Sequence, residues 1–284
     1  MHVLLGSPFR EPYDKGRMIA EGLRAAGAKV VQWDTRSGER MPLDSPRCDA
    51  SIVLKSTLGR EAIEALPGYR VALCPDALER SPHLHDGWRL YDRVLSCNDP
   101  KPYPWADFFP LGWSETLMKS AVFAAERTIP ALFVGTNNSP ERLAFVRDLK
   151  NRLGASMAIY GHGWPAPLRP KPPAYYADYI TLLSKAKVVI NRHESPVGPN
   201  LKCFEIPRCA PMLVDRARGL SRIFSKDALS AASFDDADHC LRLIERYNFD
   251  DDGLAENVRS HQWASTLPYS YEKQMAKLLE ELKT

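Results

Sequence analysis

The chain has 284 residues, 44% hydrophobic and 26% charged, which is an ordinary composition for a globular protein. Its formal net charge of +3 is too small to indicate nucleic-acid binding by itself. No apolar run reaches the roughly 18 residues of a membrane span, and the N-terminal apolar run is too short for a signal peptide, so we expect a cytoplasmic protein.

The first third of the chain alternates short apolar runs with helical patterns. Helical spacing predicts helices over 16–27 and from about 59 to 66. Strands separated by helices of this length imply a parallel sheet, because parallel neighbours need a crossover connection. The predicted strands are 2–6, 28–34, 49–55, 69–76 and 92–98.

Residues 99–113, rich in proline and aromatic side chains, interrupt this alternation. We interpret them as the linker between two domains. The expected organisation is one Rossmann-like domain over 1–120 and a second over 121–262. A C-terminal helix over 263–284 can return to the first domain.

The alternation restarts after this segment. Ser139 is placed to cap a helix that begins with Pro140 and stops at Gly154. Further helices are predicted near 175–185, around Glu205 and over 236–249. The predicted strands of this half are 130–136, 156–161, 187–191, 211–215 and a short one near 232. The fold class is therefore α/β, with two Rossmann-like domains facing a cleft.

The six cysteines form no Cys-x-x-Cys pair, and most lie in apolar surroundings. This pattern predicts reduced, buried thiols and argues against a disulfide framework or a zinc knuckle. The residues are Cys48, Cys74, Cys97, Cys203, Cys209 and Cys240.

The loop GHGWPA (161–166) follows a predicted strand and formally matches G-x-G-x-x-A. A dinucleotide site needs a helix to begin there, but the chain continues into the proline-rich PAPLRPKPP. A classical NAD site is therefore not expected, and the sequence has no P-loop. A glycine loop at the carboxyl end of a strand is still a usual place for a ligand.

The stretch SPHLHDGW (81–88) brings together His83, His85 and Asp86. Three such residues can form part of a metal site, but no further ligand cluster accompanies them, so we expect no metal. A polar surface loop, or a single residue acting as a base, are the other interpretations.

The stretch GPNLKCFEIPRC (198–209) places Glu205 among apolar residues, where an unpartnered carboxylate is costly. Asn200 can cap a short helix whose first amides, together with Lys202, favour a phosphate. Glu205 could then accept hydrogen bonds from two sugar hydroxyls. A structural salt bridge to Arg192 or Arg208 is the alternative.

Three segments together resemble a known family: 133–164, which ends in YGHGW; 182–215, which contains NLKCFE; and 267–279. They are similar to the donor-binding domain of GT-B, group 1 type glycosyltransferases, with the CgeB-like proteins as the nearest type. The resemblance covers about residues 125–284. It departs from the family at Ile206-Pro207, at Ala210 and at Val197, so the stereochemical outcome stays open.

The resemblance implies a nucleotide-sugar site in the second domain and an acceptor side in the first. Glu205 would bind the ribose, amides after Gly198 with the nearby cations would hold the diphosphate, and residues 160–164 would border the base. The implied donor-binding residues are Gly135, Arg142, Tyr160, Gly161, Gly163, Trp164, Arg192, Gly198, Asn200, Lys202 and Glu205.

We therefore expect sugar transfer from a nucleotide diphosphate sugar, a UDP-sugar first of all, to a hydroxyl acceptor, without metal or added cofactor. The acceptor could be a glycan, a protein, a metabolite or a modified DNA base. The candidate general bases are Asp76, His85 and Asp14. Three alternatives stay open: a phage-type DNA glycosyltransferase, a non-catalytic nucleotide- or glycan-binding scaffold, and a nucleotide-sugar epimerase. The basic residues that could contact DNA phosphates in the first of these are Arg10, Lys15, Arg17, Lys55 and Arg60.

Overall fold

The computed structural model describes residues 1–9, 15–35, 41, 47–55, 57–194, 196–249 and 253–284. The chain divides into two compact units. Unit 1 comprises Met1–Glu115 and Pro268–Thr284, and unit 2 comprises Thr116–Leu267. Asp14, one of the candidate bases, lies outside the described residues.

Unit 1 is built on a six-stranded sheet with the order β2-β1-β3-β4-β5-β6, in which every neighbouring pair is parallel. Its strands are β1 (His2–Ser7), β2 (Lys29–Asp34), β3 (Ala50–Leu54), β4 (Tyr69–Cys74), β5 (Arg93–Ser96) and β6 (Asp107–Phe108). The helices between them are α1 (Lys15–Ala25), α2 (Arg60–Glu64) and α3 (His85–Trp88). The predicted parallel alternation is confirmed.

The segment 99–113 is not a linker. It lies within unit 1 and contributes β6, the edge strand, which pairs with β5. Phe109, Leu111 and Trp113 of this segment are buried. Proline is compatible with an edge strand, and a strand of two residues gives too short an apolar pattern for detection in the sequence.

The C-terminal helix α11 (Tyr271–Glu281) packs on α1 within unit 1. The two chain segments also pair through their backbones, because the Trp113 N–H donates to the Tyr269 carbonyl (3.0 Å) and the Tyr271 N–H donates to the Trp113 carbonyl (2.9 Å). A side chain on Gly112 would have its Cβ 1.1 Å from the Tyr269 oxygen, so only glycine fits there.

Unit 2 contains a five-stranded parallel sheet with the order β11-β10-β9-β7-β8. Its strands are β7 (Ala131–Val134), β8 (Met157–Tyr160), β9 (Val189–Asn191), β10 (Met212–Asp215) and β11 (Ser233–Phe234). Its helices are α5 (Pro140–Leu153), α6 (Tyr176–Ser184), α7 (Lys202–Cys209), α8 (Lys226–Ser230), α9 (Ala237–Phe249) and α10 (Gly253–Thr266), and α4 (Glu115–Ser120) spans the boundary between the units.

The core of unit 2 lies where α5 and α9 pack together over the sheet. Phe145 stacks on Phe234 with ring centroids 5.3 Å apart, and Phe133 meets Trp164 edge to face at 5.5 Å. All six cysteines are buried and unpaired, as predicted. Within the described residues, no helix has the length and apolar character needed to cross a membrane.

The order of the strands in unit 2 creates a switch point between β7 and β9. The chain leaves β7 toward β8 on one side, while β9 lies on the other side and leads on to β10. Connections that leave in opposite directions open a crevice at the carboxyl ends of the strands, where α/β sheets bind ligands.

Candidate functional site

The first turn of α7 lies at this switch point and carries Lys202 and Glu205. The ammonium group of Lys202 donates to the Val134 main-chain carbonyl at the end of β7. The next residue, Gly135, is so close that a Cβ there would lie 3.0 Å from the lysine nitrogen. Burial, with the nearby Arg142 cation, lowers the pKa of Lys202 to about 8, although Glu205 and Glu194 act in the opposite direction.

Glu205 is buried, with 7% of its surface exposed. It lies near the Tyr179 hydroxyl, whose pKa is raised well above its ordinary value first by burial and then by the Glu205 charge. Arg192 lies 4.6 Å from the Phe145 ring centroid, and Arg208 lies 5.2 Å from that of Phe123.

The amides before α7 are only partly available to a ligand. The Gly198 N–H donates to the Arg218 carbonyl (2.8 Å), and the Asn200 N–H donates to His193 Nε2 (3.3 Å). Neither N–H is therefore free for a phosphate, and Asn200 is one of the residues after Gly198 whose amides were expected to hold the diphosphate. Within the described part of the chain, the N–H groups of Leu201 and Lys202 have no partner, so they remain for an anion at the helix start.

Asn200 has a capping role, although α7 begins only after Leu201. Its side-chain oxygen accepts from the Cys203 N–H (3.3 Å), and its amide exchanges two hydrogen bonds of 3.0 Å with the Asn191 amide at the end of β9. The helix continues through Pro207 to Cys209, although a proline at this position is expected to shorten or kink it.

The glycine loop after β8 packs against the loop after β7. Gly161 has φ +136°, and a Cβ on it would lie 2.1 Å from the Gly135 carbonyl oxygen. Trp164 donates to that same oxygen (2.7 Å), and only 7% of its surface is exposed. Trp164 is thus part of the core and offers no free face to a base. Tyr160, at the end of β8, is partly exposed, and Gly163 of the loop is exposed.

Arg142, in the first turn of α5, joins the loops on the two sides of the switch point. Its guanidinium donates to the carbonyl oxygens of Thr136 (3.1 Å) and Arg192 (2.7 Å) and lies 3.3 Å from the Glu194 carboxylate. Burial lowers its pKa, while Glu194 favours the charged form. Arg142 therefore shapes the crevice, while its buried Nε–H has no hydrogen-bond partner in the described part of the chain.

A pocket of about 430 Å³ opens at the carboxyl ends of β9, β10 and β11. Its lining includes Arg142, Arg192, His193, Glu194 and Asp215.

The candidate bases belong to unit 1. Asp76 follows β4 and pairs with Lys55 (2.6 Å). Burial would raise its pKa, but the hydrogen bond from Lys55 and the positive charges of Lys15, Lys55 and Arg80 outweigh it, so the pKa is lowered. His85 Nε2 lies 2.9 Å from the Leu78 carbonyl, which can only accept, so that nitrogen carries the proton.

Among the described residues, no group of three or more His, Cys, Asp or Glu side chains is arranged to hold a metal ion. The stretch that contains His83 and Asp86 therefore has no partner cluster in this part of the chain. Both of these side chains are exposed.

Sequence reasoning missed two residues that shape the site, His193 and Asp215. They follow β9 and end β10, and their side chains meet at 2.5 Å. A polar residue at the carboxyl end of each of two predicted strands was the available signal, because parallel strands end at the same edge of a sheet.

The fold matches solved structures over its whole length. A DNA-modifying β-glucosyltransferase, solved with and without uridine diphosphoglucose, has a TM-score of 0.67 and 12% identity, with 99% of each chain covered. A trehalose-6-phosphate protein from E. coli bound to UDP-2-fluoro glucose has a TM-score of 0.68 and 9% identity, covering 100% of this chain and 99% of that one. Anabaena HepE, in complex with UDP and glucose, has a TM-score of 0.67 and 11% identity, with the same coverage.

These neighbours define the class: the chain has the GT-B fold of glycosyltransferases, as predicted. Within it, residues 142–280 match the family described as glycosyl transferase-like. The match includes α5, α7 and α11, which the sequence resemblance also covers. No curated protein matches the chain.

Proposed function

We propose that this protein transfers a sugar from a nucleotide diphosphate sugar to a hydroxyl acceptor, with the donor bound in unit 2. The proposal rests on the groups at the start of α7, which lies at the switch point of a parallel sheet. These groups are the main-chain amides of Leu201 and Lys202, the Lys202 ammonium and the buried Glu205 carboxylate. Amides and a cation suit a diphosphate, and a carboxylate one turn further on suits the vicinal hydroxyls of a ribose.

The same groups suit the reaction. Negative charge grows on the diphosphate as the bond to the sugar breaks, and fixed N–H dipoles with an adjacent ammonium stabilise that charge without rearranging. The acceptor hydroxyl must lose a proton, for which Asp76 is the first candidate in unit 1. Its pKa is lowered beside Lys55, so it is ionised at neutral pH but is a weak base.

A UDP-sugar is the first donor to test. The neighbouring structures include proteins crystallised with uridine diphosphoglucose, with UDP-2-fluoro glucose, and with UDP and glucose. Tyr160 is the aromatic side chain of the glycine loop that remains partly exposed and could border the base.

Calorimetric titration with UDP, GDP, ADP and their glucose conjugates tests the site. A ligand present at 100 times its Kd should stabilise the protein by about 2.7 kcal/mol. Lys202→Met and Glu205→Gln should each weaken binding about tenfold or more, while Lys185→Met, an exposed lysine at the end of α6, should not. Equal affinity in the two site variants would remove the site, and no response to any nucleotide would favour a non-catalytic scaffold.

A modified DNA base is a second candidate acceptor, because the match to the DNA-modifying β-glucosyltransferase covers 99% of both chains. The basic residues of unit 1 give it limited support. Lys55 pairs with Asp76 (2.6 Å), Arg60 pairs with Glu64 (3.2 Å), and Arg10 lies outside the described residues. Binding to duplex DNA that weakens steeply with salt would support this acceptor, and salt-independent or absent binding would exclude it.

A further inference from the structure

A histidine and an aspartate connect the ends of β9 and β10 just before α7. Asp215 accepts the His193 main-chain N–H with both carboxylate oxygens (3.1 and 3.0 Å) and contacts the ring at Nδ1 (2.5 Å). The His193 side chain is 1% exposed. These three contacts hold His193 against Asp215, so the ends of β9 and β10 set the orientation of the His193 ring.

The second ring nitrogen faces the start of α7. Nε2 of His193 accepts the main-chain N–H of Asn200 (3.3 Å). A nitrogen that accepts an N–H carries no proton, so the proton is on Nδ1, where it points at the Asp215 carboxylate. The ring also leaves no space beside it, since a Cβ on Gly198 would lie 2.8 Å from Nε2.

From Asn200 the chain of contacts continues into the helix. Its side-chain oxygen accepts the Cys203 N–H in the first turn of α7 (3.3 Å), and its amide is locked to that of Asn191. A chain of hydrogen bonds thus runs from Asp215 at the sheet edge through His193 and Asn200. It ends at the first turn of α7, which carries Lys202.

We propose that His193 and Asp215 are positioning residues, which hold the Nδ1–H tautomer of the ring so that Asn200 fixes the first turn of α7 for the donor diphosphate. This inference rests on the proposed donor site. Both residues line the pocket at the strand ends, but the His193 ring is 1% exposed, and its Nε2 lies against the Asn200 N–H and the Cys203 thiol (3.7 Å). The ring therefore acts through Asn200 and the first turn of α7. It is a role that no local sequence pattern assigns, because the two residues are 22 positions apart.

Asp215→Asn is the sharpest test. An asparagine keeps one acceptor oxygen in place of two. With its NH₂ group in the place of Oδ1 it faces Nδ1, and the ring must then carry its proton on Nε2, which can no longer accept the Asn200 N–H. With its NH₂ group in the place of Oδ2 it faces the His193 main-chain N–H, so either orientation replaces a hydrogen bond by two opposed donors. We expect UDP affinity to fall about tenfold or more, the size of losing one hydrogen bond that orders the site. Asp148→Asn, a partly exposed acid on α5, serves as the matched control and should bind UDP like the unmodified protein.

Two substitutions at His193 separate positioning from plain packing. His193→Gln puts an oxygen near the place of Nε2 and can still accept from Asn200, whereas His193→Asn reaches only toward Asp215. Both remove the ring and should lower Tm by similar amounts. We expect His193→Gln to keep more UDP affinity than His193→Asn, and equal losses in the two would contradict the proposal.

Nuclear magnetic resonance tests the tautomer of His193 and the order of the first turn of α7 in the absence of a ligand. The ¹⁵N shifts of the His193 ring should report Nδ1–H in the unmodified protein, and amide hydrogen exchange at Asn200 and Cys203 should be faster in Asp215→Asn. An Nε2–H ring in the unmodified protein, or unchanged exchange, would overturn the inference. If the unmodified protein binds no nucleotide while these signals appear as expected, the proposed function fails and the positioning of α7 stands.

Discussion

The Lys202 ammonium and the Val134 carbonyl are hydrogen-bonded, which joins the first turn of α7 to the end of β7. The lysine is thereby held at the switch point of the sheet before any ligand arrives. A diphosphate at the start of α7 would offer this ammonium a charged acceptor in place of a neutral carbonyl, and hydrogen bonds between charged groups are the stronger ones.

The ionisation of Lys202 should make donor binding depend on pH. Burial lowers its pKa from 10.5 to about 8, so the free protein loses this charge as pH rises through about 8. A nucleotide sugar keeps its diphosphate charge over that range and binds best to the ammonium form. We therefore expect the affinity for UDP-glucose, measured by calorimetry, to be constant below about pH 8 and to fall by up to about tenfold per pH unit above it.

The stability of the free protein should change in the opposite direction. Between about pH 8 and 10.5 the unfolded chain binds more protons at this lysine than the folded one, so the Lys202 contribution to the free energy of unfolding rises with pH. Lys202→Met should remove both effects. A pH profile for UDP-glucose that is the same in Lys202→Met would show that another group is responsible.

Gly161→Ala should disrupt the contact between the two glycine loops. Gly161 has φ +136°, which L side chains rarely adopt, and its Cβ would lie 2.1 Å from the Gly135 carbonyl oxygen. We expect a loss of about 1–3 kcal/mol in the free energy of unfolding and weaker UDP binding, because Gly135 adjoins Lys202. Gly59→Ala, with open space around the added methyl, is the control for chemical denaturation. A stable variant with full UDP affinity would mean that the loops do not form the site.

Arg142→Lys should distinguish the hydrogen-bonding geometry of the Arg142 guanidinium from its positive charge. A lysine keeps the positive charge but cannot span the Thr136 and Arg192 carbonyls, which the guanidinium joins. Leaving these partly buried carbonyls without their donor should cost about 1 kcal/mol of stability and disorder the crevice, so that UDP affinity falls as well. Arg147→Ala changes an exposed arginine on the same helix and should alter neither quantity. Full thermal stability in Arg142→Lys would argue against the bridging role.

Ending the chain after Leu267 should unfold unit 1. The deletion removes α11, whose side chains Tyr271, Met275, Leu278 and Leu279 are all buried. Each contributes about 1.5–3 kcal/mol by its burial, and together they approach the whole stability of a typical domain. Hydrogen exchange of β1 and β3 measures the effect, and a chain ending at Leu282 provides the control because the last two side chains are exposed. Retained protection of these strands in the shorter chain would show that unit 1 folds without α11.

Local features of this protein were predictable from the sequence. Helix α5 begins and ends where predicted: Ser139 accepts the Arg142 N–H (3.1 Å), and Gly154 follows the last residue. Helix caps depend on a few consecutive residues, and buried parallel strands appear as continuous apolar runs. Both can therefore be predicted from the sequence without the tertiary structure. The position of Glu205 on a short helix was predictable for the same reason.

Other expectations failed where residues distant in sequence compete for the same group. Trp164 was expected beside a base, but it packs on Phe133 and donates to the Gly135 carbonyl. Gly198 was expected among the donor-binding residues, but its N–H donates to the Arg218 carbonyl. No pattern within either segment reveals such partners, because they meet only when the sheet brings the strand ends together.

The amino-acid sequence by itself determined the alternation of strands and helices, the capping of α5, the class of fold and the short helix that carries Lys202 and Glu205, since each depends on neighbouring residues. The tertiary structure decided which amides at the start of α7 remain free, how low the pKa of Lys202 falls, and that His193 meets Asp215. These properties arise from burial and from contacts across the edge of the sheet, and the order of residues along one segment does not encode them.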